Sequence, residues 1–350
     1  MVGHNQSTTG FIALRRVSYL FMGALLVLLS LLHLAVPFLA ALFSYLALTR
    51  LMFFRRGGKW PAVLMFVALL GGIAYGLVVF INQTIRALPE IADKAIPSII
   101  DTARQKGVEL PFTDYDSLRE FALDTVKGEV RYLVSAASFA RRTATHLVLL
   151  LAGCIVAISI FFNPRFQTGP PVKNPGDLYS TACAEVTVRF QTFYQSFVTV
   201  MGAQVVISAT NTVLTGIFVL ATRLPYSVVV IGVTFLCGLL PIIGNLISNA
   251  IIVVIGFTVS PRMALGAFIF LVVIHKLEYV LNSKIVGARI RNPVWLTLVG
   301  LLVGERLMGI PGMILAPVVL NYIKLEASTI NIARNSATEL VPAYSTKDDA

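Results

Sequence analysis

Long apolar runs without Lys, Arg, Asp or Glu dominate the pattern along this chain; they occupy residues 17–48, 60–85, 190–222 and 224–261. A helix rises about 1.5 Å per residue, so about 20 residues cross the roughly 30 Å hydrocarbon core of a bilayer. The first run is too long for one span and carries Pro37 near its middle, which predicts two spans joined by a turn. The pattern predicts an all-α fold, a polytopic transmembrane helical bundle of about eight membrane segments.

Interruptions of the apolar pattern predict six parts. Residues 86–142 mix acidic and basic residues with apolar residues at amphipathic spacing, typical of a water-exposed helical insert. We expect helix breaks there at Pro97, Gly107 and Pro111, and a new helix start at Ser117 and Glu120, which have capping-box spacing. The six parts are membrane segments 1–3 (1–85), an extracytoplasmic insert (86–142), membrane segment 4 (143–163), a proline-rich cytoplasmic linker (164–190), a C-terminal core (191–325) and a cytoplasmic tail (326–350).

The C-terminal core repeats one pattern, an uninterrupted span followed by an interrupted one. Each interruption leaves two arms of about 15 residues, about 22 Å long as helix, which suits a re-entrant hairpin better than a full crossing. The two repeats would then point in opposite directions, as in secondary transporters that place substrate between paired broken helices. The breaks are candidate site positions: Pro241, Gly244 and Asn245 in the first, and Gly309, Pro311 and Gly312 in the second. The alternative for the first break is a structural kink whose polar residues only bind the freed carbonyls.

The net charge of +11 comes with 57% hydrophobic and only 13% charged residues. Lys and Arg lie at the ends of the apolar segments, so they indicate membrane orientation and not nucleic-acid binding. With both interrupted segments as hairpins, the short outer loops carry only Arg223 and Arg262. Full crossing, the alternative, would move Lys284, Arg289 and Arg291 outside. Both arrangements place the termini in the cytoplasm and residues 86–142 outside.

Intramembrane polar residues supply the remaining candidates. His275, Glu278 and Asn282 share one helical face, where a carboxylate beside an imidazole could carry a proton or bind a cation; Lys276 lies off that face. The alternative is a structural polar clamp. A stripe at helical spacing, which could line a pathway or only bond between helices, consists of Gln204, Ser208, Asn211 and Thr215. A charged pair before the second break, Glu305 and Arg306, could act in transport, or could lie shallow and pair with each other or with lipid headgroups.

The sequence motifs do not support an enzymatic function. The chain has no nucleotide-binding or hydrolase motif, and Cys154, Cys183 and Cys237 lie too far apart for a metal site. We therefore expect neither catalysis, nor a metal, nor a cofactor.

Four motifs follow one another in the C-terminal core: Leu224-Pro225-Tyr226, Leu240-Pro241 with Gly244, Leu277-Glu278 leading to Gly287 and Arg289, and Gly309 to Pro317. Their order resembles the autoinducer-2 exporter family, a permease-like family. The resemblance implies a multi-pass protein of the bacterial inner membrane, homo-oligomeric, with members linked to export of the signal autoinducer-2 and others to sodium/proton antiport. This chain departs from the family pattern at Lys284, where a proline is frequent, and at Lys276, where a neutral polar residue is usual.

Three functions remain open from the sequence. The first is an exporter of a small polar organic solute, with both hairpin tips near the membrane midplane and Glu278 in gating or coupling. The second is a cation/proton antiporter, and the third is a membrane scaffold whose insert binds partners. The expected partners are membrane lipid, a small-molecule substrate and further copies of the chain.

Overall fold

The computed structural model describes residues 3–54, 58–108, 136–163, 178–241, 243–285 and 293–338. Side chains are described for fewer residues, and those of Glu278 and Asn282 are outside that set, as are Pro111, Ser117, Glu120 and residues 164–177 altogether. The described part contains ten helices: α1 (Gly3–Leu31), α2 (Ala35–Phe54), α3 (Lys59–Gln105), α4 (Ala136–Phe162), α5 (Leu178–Thr222), α6 (Ser227–Gly238), α7 (Ile243–Phe257), α8 (Pro261–Ile285), α9 (Val294–Met308) and α10 (Ile310–Thr338).

The predicted all-α, polytopic class is confirmed. Five described helices are long and apolar enough to cross a membrane: they include Ala35–Met52 of α2, Thr145–Phe162 of α4, and Ile310–Ser328 of α10, together with α3 and α5. The division of the first apolar run is also found, since α1 ends before a turn at His33 and Pro37 lies in the first turn of α2. Proline fits there because a helix leaves its first N–H groups unbonded.

Helix α5 is the centre of the bundle and packs against α1, α2, α6, α8 and α10. Its contacts with α10 fix the register of the two helices. Arg189 pairs with Glu326, and four residues further along α5 the ring of Phe193 lies 5.6 Å from that of Tyr322, four residues back on α10. The helices are therefore antiparallel, and the start of α10 lies level with about residue 205 of α5.

The first interrupted segment is a helical hairpin, named here the first hairpin, made of α6 and α7. Val229 and Val230 near the start of α6 share a buried apolar cluster with Ile252 and Ile255 near the end of α7. The two helices therefore lie side by side, with the start of α6 next to the end of α7. At the tip the chain turns through Pro241, and Gly244 lies so close to α6 that an added Cβ would be 1.6 Å from the Cys237 carbonyl oxygen. Only glycine fits this turn.

The second interrupted segment is the second hairpin, made of α9 and the first part of α10. Gly309 separates the arms with a φ of 65°, a left-handed value that glycine adopts at no steric cost. A Cβ on Gly312 would come within 1.9 Å of the Gly304 carbonyl oxygen, and one on Gly300 would meet Leu320 at 3.0 Å. Glycines spaced by four residues let the two backbones touch, as in close helix pairs within membranes.

The helix break predicted at Pro97 is wrong, because α3 is continuous from Lys59 to Gln105 with Pro89 and Pro97 inside it. An interior proline removes one backbone hydrogen bond and costs about 3 kcal/mol. Packing on both sides of Pro97 offsets that cost, since Ala95 and Ile100 are buried, Ala95 within the cluster at the base of the first hairpin. The break predicted at Gly107 is found, with a φ of 65° just after the helix end.

Gly312→Ala tests the close approach in the second hairpin. The added methyl group has no room beside Gly304, so we expect a loss of about 1–3 kcal/mol in stability, as for other overpacked sites. The measurement is the melting temperature of the detergent-solubilised protein by fluorescence-detected size exclusion. Gly266→Ala is the matched control, because nothing lies within 4 Å of a Cβ there. Equal melting temperatures for both variants would contradict the described contact.

Candidate functional site

A small polar cavity lies beside the tip of the first hairpin, where α5, α6, α7 and α8 converge. Its volume is about 10 Å³, which is the space of a single water molecule. Four residues predicted from sequence line it: Asn211 and Thr215 of α5, Asn245 of α7 and His275 of α8. The remaining lining residues are Thr234, Ser248, Asn249, Leu271 and Ile274. We call this cavity the tip pocket.

Four polar residues of the tip pocket are buried in otherwise apolar helices, whereas His275 is exposed. Thr215 is 1% exposed, Ser248 2% and Asn211 5%. Hydroxyl and amide groups both donate and accept hydrogen bonds, and their oxygens can also ligate a hard cation. The pocket can therefore hold a water, a dehydrated cation or one polar group of a larger solute.

Two further predicted residues, Gln204 and Ser208, hold the hairpin tip and do not line the pocket. The Gln204 side chain donates a hydrogen bond of 2.6 Å to the Gly238 carbonyl, and the Ser208 hydroxyl donates one of 2.7 Å to the Phe235 carbonyl. These carbonyls end α6 and have no partner in a continuing helix. Gly238 leaves just enough room, since a Cβ there would be 2.6 Å from the Ser208 hydroxyl oxygen.

The predicted polar face of α8 is only partly described. His275 and Lys276 are both exposed, and of the two only His275 lines the tip pocket. Glu278 and Asn282 belong to α8, with Glu278 one helical turn beyond His275, and their side chains lie outside the described residues. Their predicted roles stay predictions.

The second break differs from the first in its surroundings. Its tip packs into an apolar cluster, where Met308 and Ile314 lie against the group that contains Met201 and Leu315. Glu305 and Arg306 end α9 with side chains 53% and 90% exposed and a separation of 4.0 Å. The structure therefore places this charged pair outside the tip pocket, at an exposed position where such pairs contribute little stability.

Beyond the apolar part of α3, a polar contact joins this helix to the base of the first hairpin. Lys94 donates a hydrogen bond of 2.7 Å to Glu90. That bond, followed by the interaction with Tyr226, lowers the pKa of the Glu90 carboxyl. Tyr226 precedes α6 in a left-handed conformation, with a φ of 57°, so α3 contacts the residue that starts the hairpin.

Sequence reasoning missed two features. Thr234 lines the tip pocket, and its signal in the sequence is a hydroxyl residue in the middle of the apolar α6. The second feature is a buried ion pair between Arg189 of α5 and Glu326 of α10, which are 7% and 6% exposed. Each residue lies at the edge of an apolar run, where it looks like an ordinary end-of-helix charge, and no local spacing links residues so far apart.

Comparison with known proteins gives a family match over most of the chain. The sequence model described as "AI-2E family transporter" matches residues 17–329. This range covers both hairpins, the central helix α5 and all the residues that line the tip pocket.

Two relatives come from Bacillus subtilis (strain 168), and both are provisionally named transport proteins. YueF is 35% identical over 116 residues, which are 33% of this chain and 31% of YueF. YdbI is 31% identical over 126 residues, which are 35% of this chain and 36% of YdbI. The matched stretch thus spans about a third of each relative, and neither name specifies a solute.

Proposed function

Because the chain belongs to the AI-2E family of transporters, we propose that it exports a small polar organic solute, of which autoinducer-2 is an example, past the tip pocket. The convergence of polar groups from four helices at the first hairpin carries this proposal. Burying polar groups within a membrane costs free energy, so proteins rarely retain such groups without a function. Where they cluster at a broken helix, they are typical of substrate pathways in transporters.

Transport by this route requires the first hairpin to move. A pocket of about 10 Å³ admits no organic solute, so the described conformation is closed. The side chains of Gln204 and Ser208 bind the end of α6 to α5, and each such hydrogen bond within a membrane is worth about 0.6–2 kcal/mol. Breaking these two hydrogen bonds to open the pocket between α5 and α7 would cost about 1–4 kcal/mol in hydrogen-bond free energy.

Orientation and assembly belong to the same proposal. The distribution of Lys and Arg supports a bacterial inner-membrane protein with both termini in the cytoplasm and both hairpins re-entrant. Helices α6, α7 and α9 have 12, 15 and 15 residues, about 18–22 Å, which is less than the hydrocarbon thickness. Exposed apolar residues of α9 such as Leu302 and Leu307 offer a surface to lipid or to further copies of the chain.

Thr215→Val tests the tip pocket, because it replaces a buried hydroxyl by a methyl group of the same shape. We expect solute efflux from proteoliposomes to fall at least about tenfold, since a site that bonds a polar solute loses much of its function when a partner is removed. Thr210→Val on the same helix is the matched control, because the Thr210 hydroxyl bonds only to the Val206 carbonyl within α5. Equal efflux by both variants would contradict the assigned pathway.

A second function, cation/proton antiport, is favoured by the size of the tip pocket. One dehydrated cation fits where an organic solute does not, and oxygen ligands from Asn211, Thr215 and Ser248 surround the space. Under this proposal Glu278, one turn beyond His275 on α8, exchanges the proton, and Asn282 lies on the same face.

Everted vesicles distinguish the two functions. An antiporter dissipates an imposed pH gradient when Na⁺ is added, and Glu278→Gln, which cannot release a proton, should abolish the response. Glu305→Gln is the matched control because Glu305 is exposed and outside the pocket. A pH gradient unaffected by Na⁺ with the unchanged protein would reject antiport and leave solute export as the proposed function.

A further inference from the structure

A groove of about 360 Å³ lies between α1 and α10, away from the tip pocket. Its walls are apolar, formed by Met22 and Leu26 on α1 and by Val319 and Ile323 on α10. Tyr19, Tyr322 and Glu326 also line it and give it one polar end. The groove therefore has the form of a site for an amphipathic molecule.

The polar end of the groove holds two carboxylates around one guanidinium. Arg189 donates one hydrogen bond to Glu326 at 2.5 Å and another to Glu185 at 3.1 Å, so one guanidinium faces two carboxylates. The Tyr19 hydroxyl donates to Glu326 at 2.9 Å, and the guanidinium carbon lies 4.6 Å from the centre of the Tyr19 ring. A cationic group is the ligand that would balance this cluster.

Tyr322 supplies an independent indication of a ligand. The residue is 6% exposed, and its hydroxyl has no hydrogen-bond partner among the described residues. A buried hydroxyl without a partner costs about 1–3 kcal/mol, so proteins rarely retain one without cause. Because Tyr322 lines the groove, a donor on a bound molecule could satisfy it.

The groove lies where a membrane lipid would enter it. The apolar run of α1 begins at Val17, directly after two arginines, so Tyr19 is at the level where aromatic residues meet lipid headgroups. Leu20 and Ile323 flank the groove and are 72% and 55% exposed, which leaves it open towards the acyl chains. Arg16, one turn before Tyr19 on the same helix, is exposed and directly precedes the apolar run, where a basic side chain can reach a lipid phosphate.

We propose that the groove between α1 and α10 binds a phospholipid with a primary ammonium headgroup. One acyl chain lies along Met22, Leu26 and Val319, and the ammonium group donates hydrogen bonds to Glu326 and to the Tyr322 hydroxyl. The lipid phosphate pairs with Arg16. An anionic lipid without an ammonium group fits worse, because it adds negative charge beside Glu185 and Glu326.

Native mass spectrometry of the purified full chain tests this site. The protein is exposed to equal amounts of phosphatidylethanolamine, phosphatidylcholine and phosphatidylglycerol with the same acyl chains. We expect phosphatidylethanolamine to be retained most, by about tenfold, because only its headgroup provides N–H donors to a carboxylate. Equal retention of the three lipids, or a preference for phosphatidylglycerol, would overturn the proposal.

Three variants locate the binding. Tyr322→Phe removes only the hydroxyl and should lower the preference for phosphatidylethanolamine over phosphatidylcholine, as should Glu326→Gln. Gly23→Leu should reduce retention of all three lipids, since Gly23 lines the groove and an added Cβ meets nothing within 4 Å. Tyr75→Phe, at a 74% exposed position on α3, is the control. A preference that survives Tyr322→Phe, together with retention that is unchanged by Gly23→Leu in folded protein, would place the lipid elsewhere and reject this site.

Discussion

Two hydrogen bonds from α5 to the end of α6 hold the first hairpin in place, and the candidate site depends on them. A broken helix within a bilayer exposes carbonyl groups that water cannot reach, so protein groups must bind them. Gln204 and Ser208 do so for the carbonyls of Gly238 and Phe235. Asn211 and Thr215 continue the same stripe along α5 and line the tip pocket beyond those bonds. One helical face thus both supports the break and forms one wall of the pocket.

The tips of the two hairpins lie in different surroundings, although both hairpins end near the middle of α5. The first ends beside Gln204, and the register of α10 places the second level with about residue 205. The first tip is surrounded by amide and hydroxyl groups, whereas the second packs its Met308 into an apolar cluster. Close glycine contacts join the arms of both hairpins, at Gly244 in the first and at Gly312 in the second. The proposed function assigns the motion to the first hairpin because its tip, unlike the second, lies beside polar groups at the tip pocket.

Much of this arrangement could be predicted from sequence because its causes are local. Apolar run lengths give the spans, and proline and glycine within a run give the breaks at Pro241 and Gly309. Helical spacing grouped Gln204, Ser208, Asn211 and Thr215, but spacing cannot separate the two that hold the hairpin from the two that line the pocket. That division depends on where α6 ends against α5.

Other features could not be predicted because they depend on distant parts of the chain. The pair of Arg189 and Glu326 forms only when α10 folds back along α5. Pro97 remains inside α3 because that stretch packs beside the base of a hairpin formed more than a hundred residues later. Local rules predict an exposed charge for Arg189 and Glu326 and a broken helix at Pro97. Tertiary packing instead buries the ion pair and keeps the helix continuous.

A reversible cross-link between α5 and the first hairpin tests the central claim most directly. A Cβ at Gly238 would lie 3.1 Å from that of Ser208, close to the separation of about 3.5–4.5 Å in disulfides. The measurement is solute flux by the double variant Ser208→Cys and Gly238→Cys, with the three natural cysteines replaced. The account predicts that oxidation stops flux and that reduction restores it. Undiminished flux with the cross-link formed would contradict a moving first hairpin.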